Sequence, residues 1–153
     1  MSCININRVI LGGIVAGIVA DALDFIADFV VLGPHWARNM KALGKPPDFT
    51  IHQIAAFEII GLACGIFVIW LYAAMRPRYG PGPKTAIYAG VAAWVIGALL
   101  PNVAFMGIAG LFSFNLMAAT TAANLVEFVV GALAGAALYK EGASTETAAA
   151  AHA

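Results

Sequence analysis

Five acidic residues occur inside stretches of the chain that are otherwise long and apolar, namely Asp21, Asp24, Asp28, Glu58 and Glu127. The interiors of these stretches contain no Lys or Arg that would neutralise them. Placing an ionised carboxylate in a bilayer costs about 2.5–3.5 kcal/mol, so such residues usually face a bundle interior or an aqueous cavity. Carboxylates there bind hard cations or carry protons. The five acids therefore predict a site for a cation or a proton.

The spacing of the acids predicts that they share this site. Asp21, Asp24 and Asp28 recur at intervals of three and four, which places them on one face of a helix. Three like charges at short range are not all ionised unless a cation lies among them. Matching polar positions on the other stretches complete the predicted site, namely Glu58 on the second stretch, Asn102 on the third, and Thr120, Asn124 and Glu127 on the fourth.

A divalent cation is one candidate ligand, and no other cofactor is indicated. Asp24, Asp28 and Glu58 supply the oxygen atoms that hard cations prefer, and His52 offers a nitrogen to a transition metal. His52 is more simply explained as an interfacial residue at the end of a helix. No Glu-x-x-His pair occurs, which excludes the ligand set of di-iron bundles.

A competing interpretation needs no ligand. Protonated acids can hydrogen-bond between membrane helices, with each bond contributing about 0.6–2 kcal/mol. The protein would then be a non-catalytic accessory or scaffold protein. An enzyme is less favoured than either interpretation, because no Gly-x-Ser-x-Gly motif or phosphate-binding loop occurs, and no His lies in helical register with Ser113 or Cys64.

The elements that carry these residues read as four membrane-spanning helices. The chain has 153 residues, of which 62% are hydrophobic, against about 45–50% in a soluble domain. Each predicted span has the roughly 20 apolar residues that crossing a bilayer requires. The spans are Asn7–Leu32, His52–Met75, Lys84–Met106 and Phe112–Tyr139, with a kink expected at Pro101. We expect an all-α membrane protein, with one antiparallel four-helix bundle over residues 1–139 and a disordered cytoplasmic tail over 140–153.

The basic residues near the span ends predict the orientation. The side with both termini carries five of them, Arg8, Arg76, Arg78, Lys84 and Lys140, whereas the other side carries three, Arg38, Lys41 and Lys45. The more basic side of a membrane protein usually faces the cytoplasm. Both termini are therefore predicted to be cytoplasmic. The formal net charge of +0 gives no indication of a nucleic-acid partner.

Glycines continue the polar faces toward the predicted cytoplasmic side. Gly-x-x-x-Gly spacing lets helix backbones approach closely in lipid. It occurs on three spans, as Gly13/Gly17, Gly61/Gly65 and Gly131/Gly135. The outer halves of the spans are thus polar and the inner halves are rich in glycine. This arrangement predicts a pocket that opens outward and is closed toward the cytoplasm. A four-span chain is small for forming two gates alone, so we expect a homo-oligomer in the lipid bilayer.

The connection between the first two spans contains a short segment, His35 to Leu43, in which Trp36 and Met40 lie on one helical side. This pattern is typical of a short helix in the membrane interface. The segment Leu32-Gly33-Pro34-His35-Trp36, followed by Met40 and Gly44, resembles a pattern in a family of small bacterial four-helix membrane proteins of unknown function. The resemblance implies a four-helix fold in the bacterial inner membrane and no particular mechanism.

Overall fold

The computed structural model describes residues 4–141, and this part of the chain is built from helices alone. Cys3, His152 and all of the predicted tail except Lys140 and Glu141 lie outside the described residues. In chain order the helices are α1 (Ile6–Val31), α2 (Gly33–Ala42), α3 (Ile51–Tyr79), α4 (Pro83–Ile108) and α5 (Phe114–Ala136). Within the described range, all of these except α2 are long and apolar enough to cross a membrane, as in a multi-pass membrane protein.

Capping residues explain where α3 begins and ends. At its start, the Gln53 backbone N–H donates to the Thr50 hydroxyl, and the Thr50 N–H donates to Gln53 Oε1. The helix was predicted to end at Met75 but continues to Tyr79, with Pro77 in its last turn. It stops at Gly80, whose φ of 81° is rarely adopted by other residues. The connection to α4 is correspondingly shorter than expected.

Two of the long helices widen along part of their length. The segment Phe25–Val31 of α1 is π-helical, and the N–H of Leu32 donates to the carbonyl of Ala27 at 2.8 Å. In α4, π-helical segments lie on both sides of Pro101, at Val95–Leu99 and Val103–Ile108. Pro101 lacks the N–H that an α-helical turn requires, which explains why the regular pattern is disturbed there.

α1 packs mainly on α3 and α5, and α4 packs on α5 and α3. At the end with the α3–α4 connection, small and aromatic side chains form a closed core that includes Ile69, Ala86 and Ala89, each 0% exposed. Two tyrosines strengthen this end, because the Tyr72 hydroxyl accepts from the Gly82 N–H and the Tyr139 hydroxyl accepts from the Asn5 N–H. The other half of the bundle is open inside and contains the acidic residues.

Candidate functional site

A cavity of about 890 Å³ occupies that other half of the bundle. Its wall includes all eight residues predicted to form the cation or proton site: Asp21, Asp24, Asp28, Glu58, Asn102, Thr120, Asn124 and Glu127. The four long helices and the segment between α1 and α3 all contribute to the wall. The structure therefore brings the predicted residues together, whereas the binding of a cation or proton stays a prediction.

The charges on the wall are of one sign. Asp21, Asp28 and Glu58 all lie close enough to Asp24 to repel its charge. Asp48, in the loop before α3, is a sixth carboxylate on the wall. Among residues 4–141 no Lys, Arg or His lines the cavity. The ion pair in this range, between Arg76 and Glu141 at 3.6 Å, lies outside the cavity. The cavity is thus an acidic chamber without a protein counter-charge in the described range.

Asp21 lies directly against α3 at Gly61. A methyl group added to Gly61 would lie 2.7 Å from the Asp21 carboxyl carbon, which is well inside van der Waals contact. Gly61 was predicted to allow close packing of helix backbones. In the structure, the Gly61 carbonyl does lie only 3.2 Å from the position of a Cβ on Gly17, and Gly61 also leaves room for an acidic side chain from the neighbouring helix.

The other predicted packing glycines also lie at close contacts between helices. A Cβ on Gly65 would lie 2.7 Å from the Gly17 Cα. Gly13 contacts the backbone of α3, and Gly131 and Gly135 contact the backbone of α1. In each case the helix that packs against the glycine belongs to the same chain, so a second copy of the chain is not needed to explain these glycines. They close the bundle below the cavity.

Glu127 is the most enclosed acid of the site. Its side chain is only 6% exposed. Its Oε2 accepts from the Asn124 side-chain amide at 2.9 Å. Asn102 in α4 donates to Thr121 Oγ1 at 3.0 Å and approaches Asn124 Oδ1 at 3.5 Å, so a polar chain runs from α4 to Glu127. The second carboxylate oxygen, Oε1, is buried and finds no hydrogen-bond partner within residues 4–141.

Thr120 takes a more structural position than the acids. Its side chain is 3% exposed, and its hydroxyl donates to the Leu116 carbonyl of its own helix at 2.9 Å. The proton of the hydroxyl is therefore used locally, and only the lone pairs of the oxygen remain available to a ligand.

An aromatic cap, formed by Phe29, Trp36, Phe49, Phe57 and Phe112, lines one side of the cavity. The Trp36 ring lies 5.2 Å from that of Phe112 and 6.5 Å from that of Phe49, both edge to face. The sequence pattern predicts Trp36 to lie in the membrane interface and does not predict the cap. The sequence did indicate that Trp36 and Met40 share one side of α2, and this is the side that faces the cavity, because both residues line it.

Trp36 also brings a polar atom to the acids. Its indole Nε1–H faces the Asp28 carboxylate, but the two groups do not reach hydrogen-bonding geometry. Trp36 Nε1 and Asp28 Oδ1 are both buried without a partner in the described part of the chain. The helix that carries Trp36 is held to the bundle by Asn39, whose side-chain oxygen accepts from the Ser113 N–H at 2.8 Å.

The geometry gives no support to the predicted metal ligands as a set. Asp24, Asp28 and Glu58 line the cavity, but His52 is exposed and does not. Within residues 4–141 no group of three His, Cys, Asp or Glu side chains is arranged to hold a metal ion. The acids surround a wide chamber instead of converging on one point. Cys64, a free thiol, is a further wall residue.

Comparison with known proteins does not assign the site. No family model, curated protein or solved structure matches the chain.

Proposed function

We propose that this chain is a four-span protein of the bacterial inner membrane whose acidic cavity binds a cation or a proton from the outer side and serves transport, with the chain working as a homo-oligomer. Both termini are cytoplasmic in this proposal, and α2 lies in the outer interface. The contacts between helices support an antiparallel bundle, because Gly13 faces Ile66 whereas Gly17, one turn further along α1, faces Leu62.

One observation carries the proposal of a binding site. Glu127 is almost completely enclosed at the cavity wall, and its Oε1 lacks a partner in the described residues. A buried acceptor without a donor is costly, and a buried charge is more so. A cation removes both costs, and a bound proton removes the larger cost of the charge. The other predicted acids around the same chamber also lack a counter-charge and therefore also favour the binding of a cation or proton: Asp21, Asp24, Asp28 and Glu58.

A scaffold function remains the second candidate, and one observation favours it. The polar chain from Asn102 through Asn124 to Glu127 joins α4 to α5, as expected for acids that serve as hydrogen-bonding links between helices. This series of hydrogen bonds does not reach Asp21, Asp24, Asp28 or Glu58. Interhelical bonding therefore accounts for one of the five predicted acids and leaves the other four without a role.

Thermal unfolding of the full chain in nanodiscs tests cation binding against scaffolding. The melting temperature is measured in Na⁺, K⁺, Mg²⁺, Ca²⁺ and Mn²⁺ chlorides against N-methylglucamine chloride, and in each salt at several pH values. A ligand at 100 times its Kd stabilises the folded state by about 2.7 kcal/mol. For a chain of this size, this corresponds to a rise in the melting temperature of about 5–10 °C.

Asp24→Asn is the test variant, and Glu141→Gln, which removes one negative charge outside the cavity, is its matched control. We expect the stabilisation by cation or proton to be lost in Asp24→Asn and kept in Glu141→Gln. A scaffold of neutral acids instead predicts no stabilisation by cations in the wild-type chain and little change in the melting temperature of Asp24→Asn, because Asn replaces a protonated Asp with little change in shape or hydrogen bonding. A melting temperature independent of cation and pH in the wild-type chain refutes the binding site.

A further inference from the structure

The size of the cavity indicates the class of ligand. Pockets for small organic molecules have volumes of about 300–1,000 Å³, and this cavity has about 890 Å³. A bare divalent cation requires several oxygen atoms within about 2.3–2.6 Å of one point. Within residues 4–141, no such group of side chains is present. The chamber therefore has the dimensions of an organic molecule with a charged group.

The wall has two chemically different parts. One part carries the carboxylates, and the other is the aromatic cap, in which Phe49 lies 5.8 Å from Phe57 and Trp36 lies 5.2 Å from Phe112. Aromatic and aliphatic side chains take up an apolar body, and aromatic faces also attract cations. An inorganic ion would leave the apolar part of the wall without a ligand group to contact.

The buried oxygen atoms narrow the choice among organic cations. Glu127 Oε1 and Asp28 Oδ1 lie at the wall as buried acceptors that lack donors in the described range. Glu127 is 6% exposed, so water reaches it poorly. A protonated amine carries N–H groups that can donate to these oxygen atoms, whereas a quaternary ammonium ion or an alkali cation has none.

We propose that the cavity binds a hydrophobic organic amine in its protonated form, with the ammonium group between Asp28 and Glu127 and the apolar body against the aromatic cap. This inference rests on the proposed cation site and specifies its substrate class. The ammonium group supplies the positive charge that the wall lacks and N–H donors for Glu127 Oε1 and Asp28 Oδ1, and the cap supplies the contact for an alkyl or aryl chain.

Four probes that share one body test the proposal. They are 4-phenylbutylamine, 4-phenylbutan-1-ol, 4-phenylbutyrate and (4-phenylbutyl)trimethylammonium. Binding to the full chain in nanodiscs of zwitterionic lipid is measured at pH 7 by equilibrium dialysis, with empty nanodiscs as the blank for partition into lipid. We expect the amine to bind at least tenfold more tightly than the alcohol, the quaternary ion to bind more weakly than the amine, and the carboxylate not to bind.

Two variants locate the ammonium group. Glu127→Gln and Asp28→Asn should each weaken amine binding at least tenfold, and Glu141→Gln should leave it unchanged. Equal affinity for the amine and the alcohol, or no binding of the amine, overturns the substrate class. If inorganic cations or protons still stabilise the chain in that case, the cation site stands and only its proposed ligand is wrong. If they do not, both proposals fail.

Discussion

Cys64 offers a direct measure of the charge inside the cavity. It is a free thiol on the cavity wall, and the chain contains one other cysteine, Cys3. In a Cys3→Ser background, we expect Cys64 to react faster with a cationic methanethiosulfonate, carrying a trimethylammonium group, than with the anionic sulfonate reagent of similar size. The reason is that the reagents approach the thiol through a chamber lined by carboxylates.

The expected magnitude follows from the position of Asp21. Its carboxylate lies at Gly61, three residues before Cys64 on α3. Positions three apart on a helix are about 5–6 Å apart. At about 6 Å, one ionised carboxylate contributes about 0.7 kcal/mol per unit charge in water and about 2.8 kcal/mol at an effective dielectric constant of about 20. Because the reagents have opposite charges, their barriers differ by about 1.4–5.5 kcal/mol, which is a rate ratio of at least about tenfold.

The assay is intact-protein mass spectrometry of the chain after timed exposure to each reagent. Rates are divided by those of a free thiol in solution, which removes the intrinsic difference between the reagents. Asp21→Asn should lower the normalised ratio, and Glu141→Gln should not. Adding the reagents to sealed vesicles of known sidedness also tests the orientation, because reaction should be faster from the outer side.

A normalised ratio near one in the wild-type chain would refute this reasoning. It would mean that the chamber carries no net negative charge and that its acids are protonated or already paired. The scaffold interpretation would then be preferred to the cation site.

Two further predictions concern the glycines of α3. Gly61→Ala should keep the fold, since Ala favours a helix over Gly by about 1 kcal/mol, but should displace the Asp21 carboxylate and reduce the charge selectivity measured with the two reagents. Gly65→Ala places a methyl group 2.7 Å from the Gly17 Cα, so thermal unfolding in nanodiscs should show a loss of about 1–3 kcal/mol. Gly33→Ala, whose methyl group meets nothing closer than 3.8 Å, is the control and should unfold like the wild type.

Much of the candidate site could be predicted from the sequence because it depends on local patterns. Hydropathy identifies the long helices to within a few residues, as for α1, predicted at Asn7–Leu32 and found at Ile6–Val31. Spacings of three and four place Asp21, Asp24 and Asp28 on a common face. Residues on the polar faces of helices that pack together then meet at one cavity.

The remaining features depend on contacts between distant segments, which local patterns do not encode. Asp48 and Phe49 reach the cavity because the loop after α2 folds back over the bundle. That path depends on contacts such as the bond from the Ser113 N–H to Asn39, 74 residues apart. The continuation of α3 past Pro77 was missed for a different reason, since proline is usually a helix-ending residue and here lies in the last turn.

The Gly61/Gly65 pair shows why a correct motif led to an incomplete interpretation. Both glycines lie on the side of α3 that faces α1, but Gly65 contacts the backbone of α1 at Gly17, whereas Gly61 contacts the Asp21 side chain. The two positions differ by about one helical turn, or about 5.4 Å of rise. Over this one turn the nearest neighbour of the glycine changes from the backbone of α1 to an acidic side chain, although the Gly61 carbonyl still lies 3.2 Å from the position of a Cβ on Gly17.

The same change occurs on α5, where Gly131 contacts the Ala16 carbonyl and Glu127, one turn away, faces the cavity. Ala16, Gly65 and Gly131 thus form the floor of the cavity, and the acids begin immediately beyond them. The alternation of small and acidic residues at helical spacing therefore specifies two things together. It determines where the helices touch, and it determines the depth at which a charged group can be held.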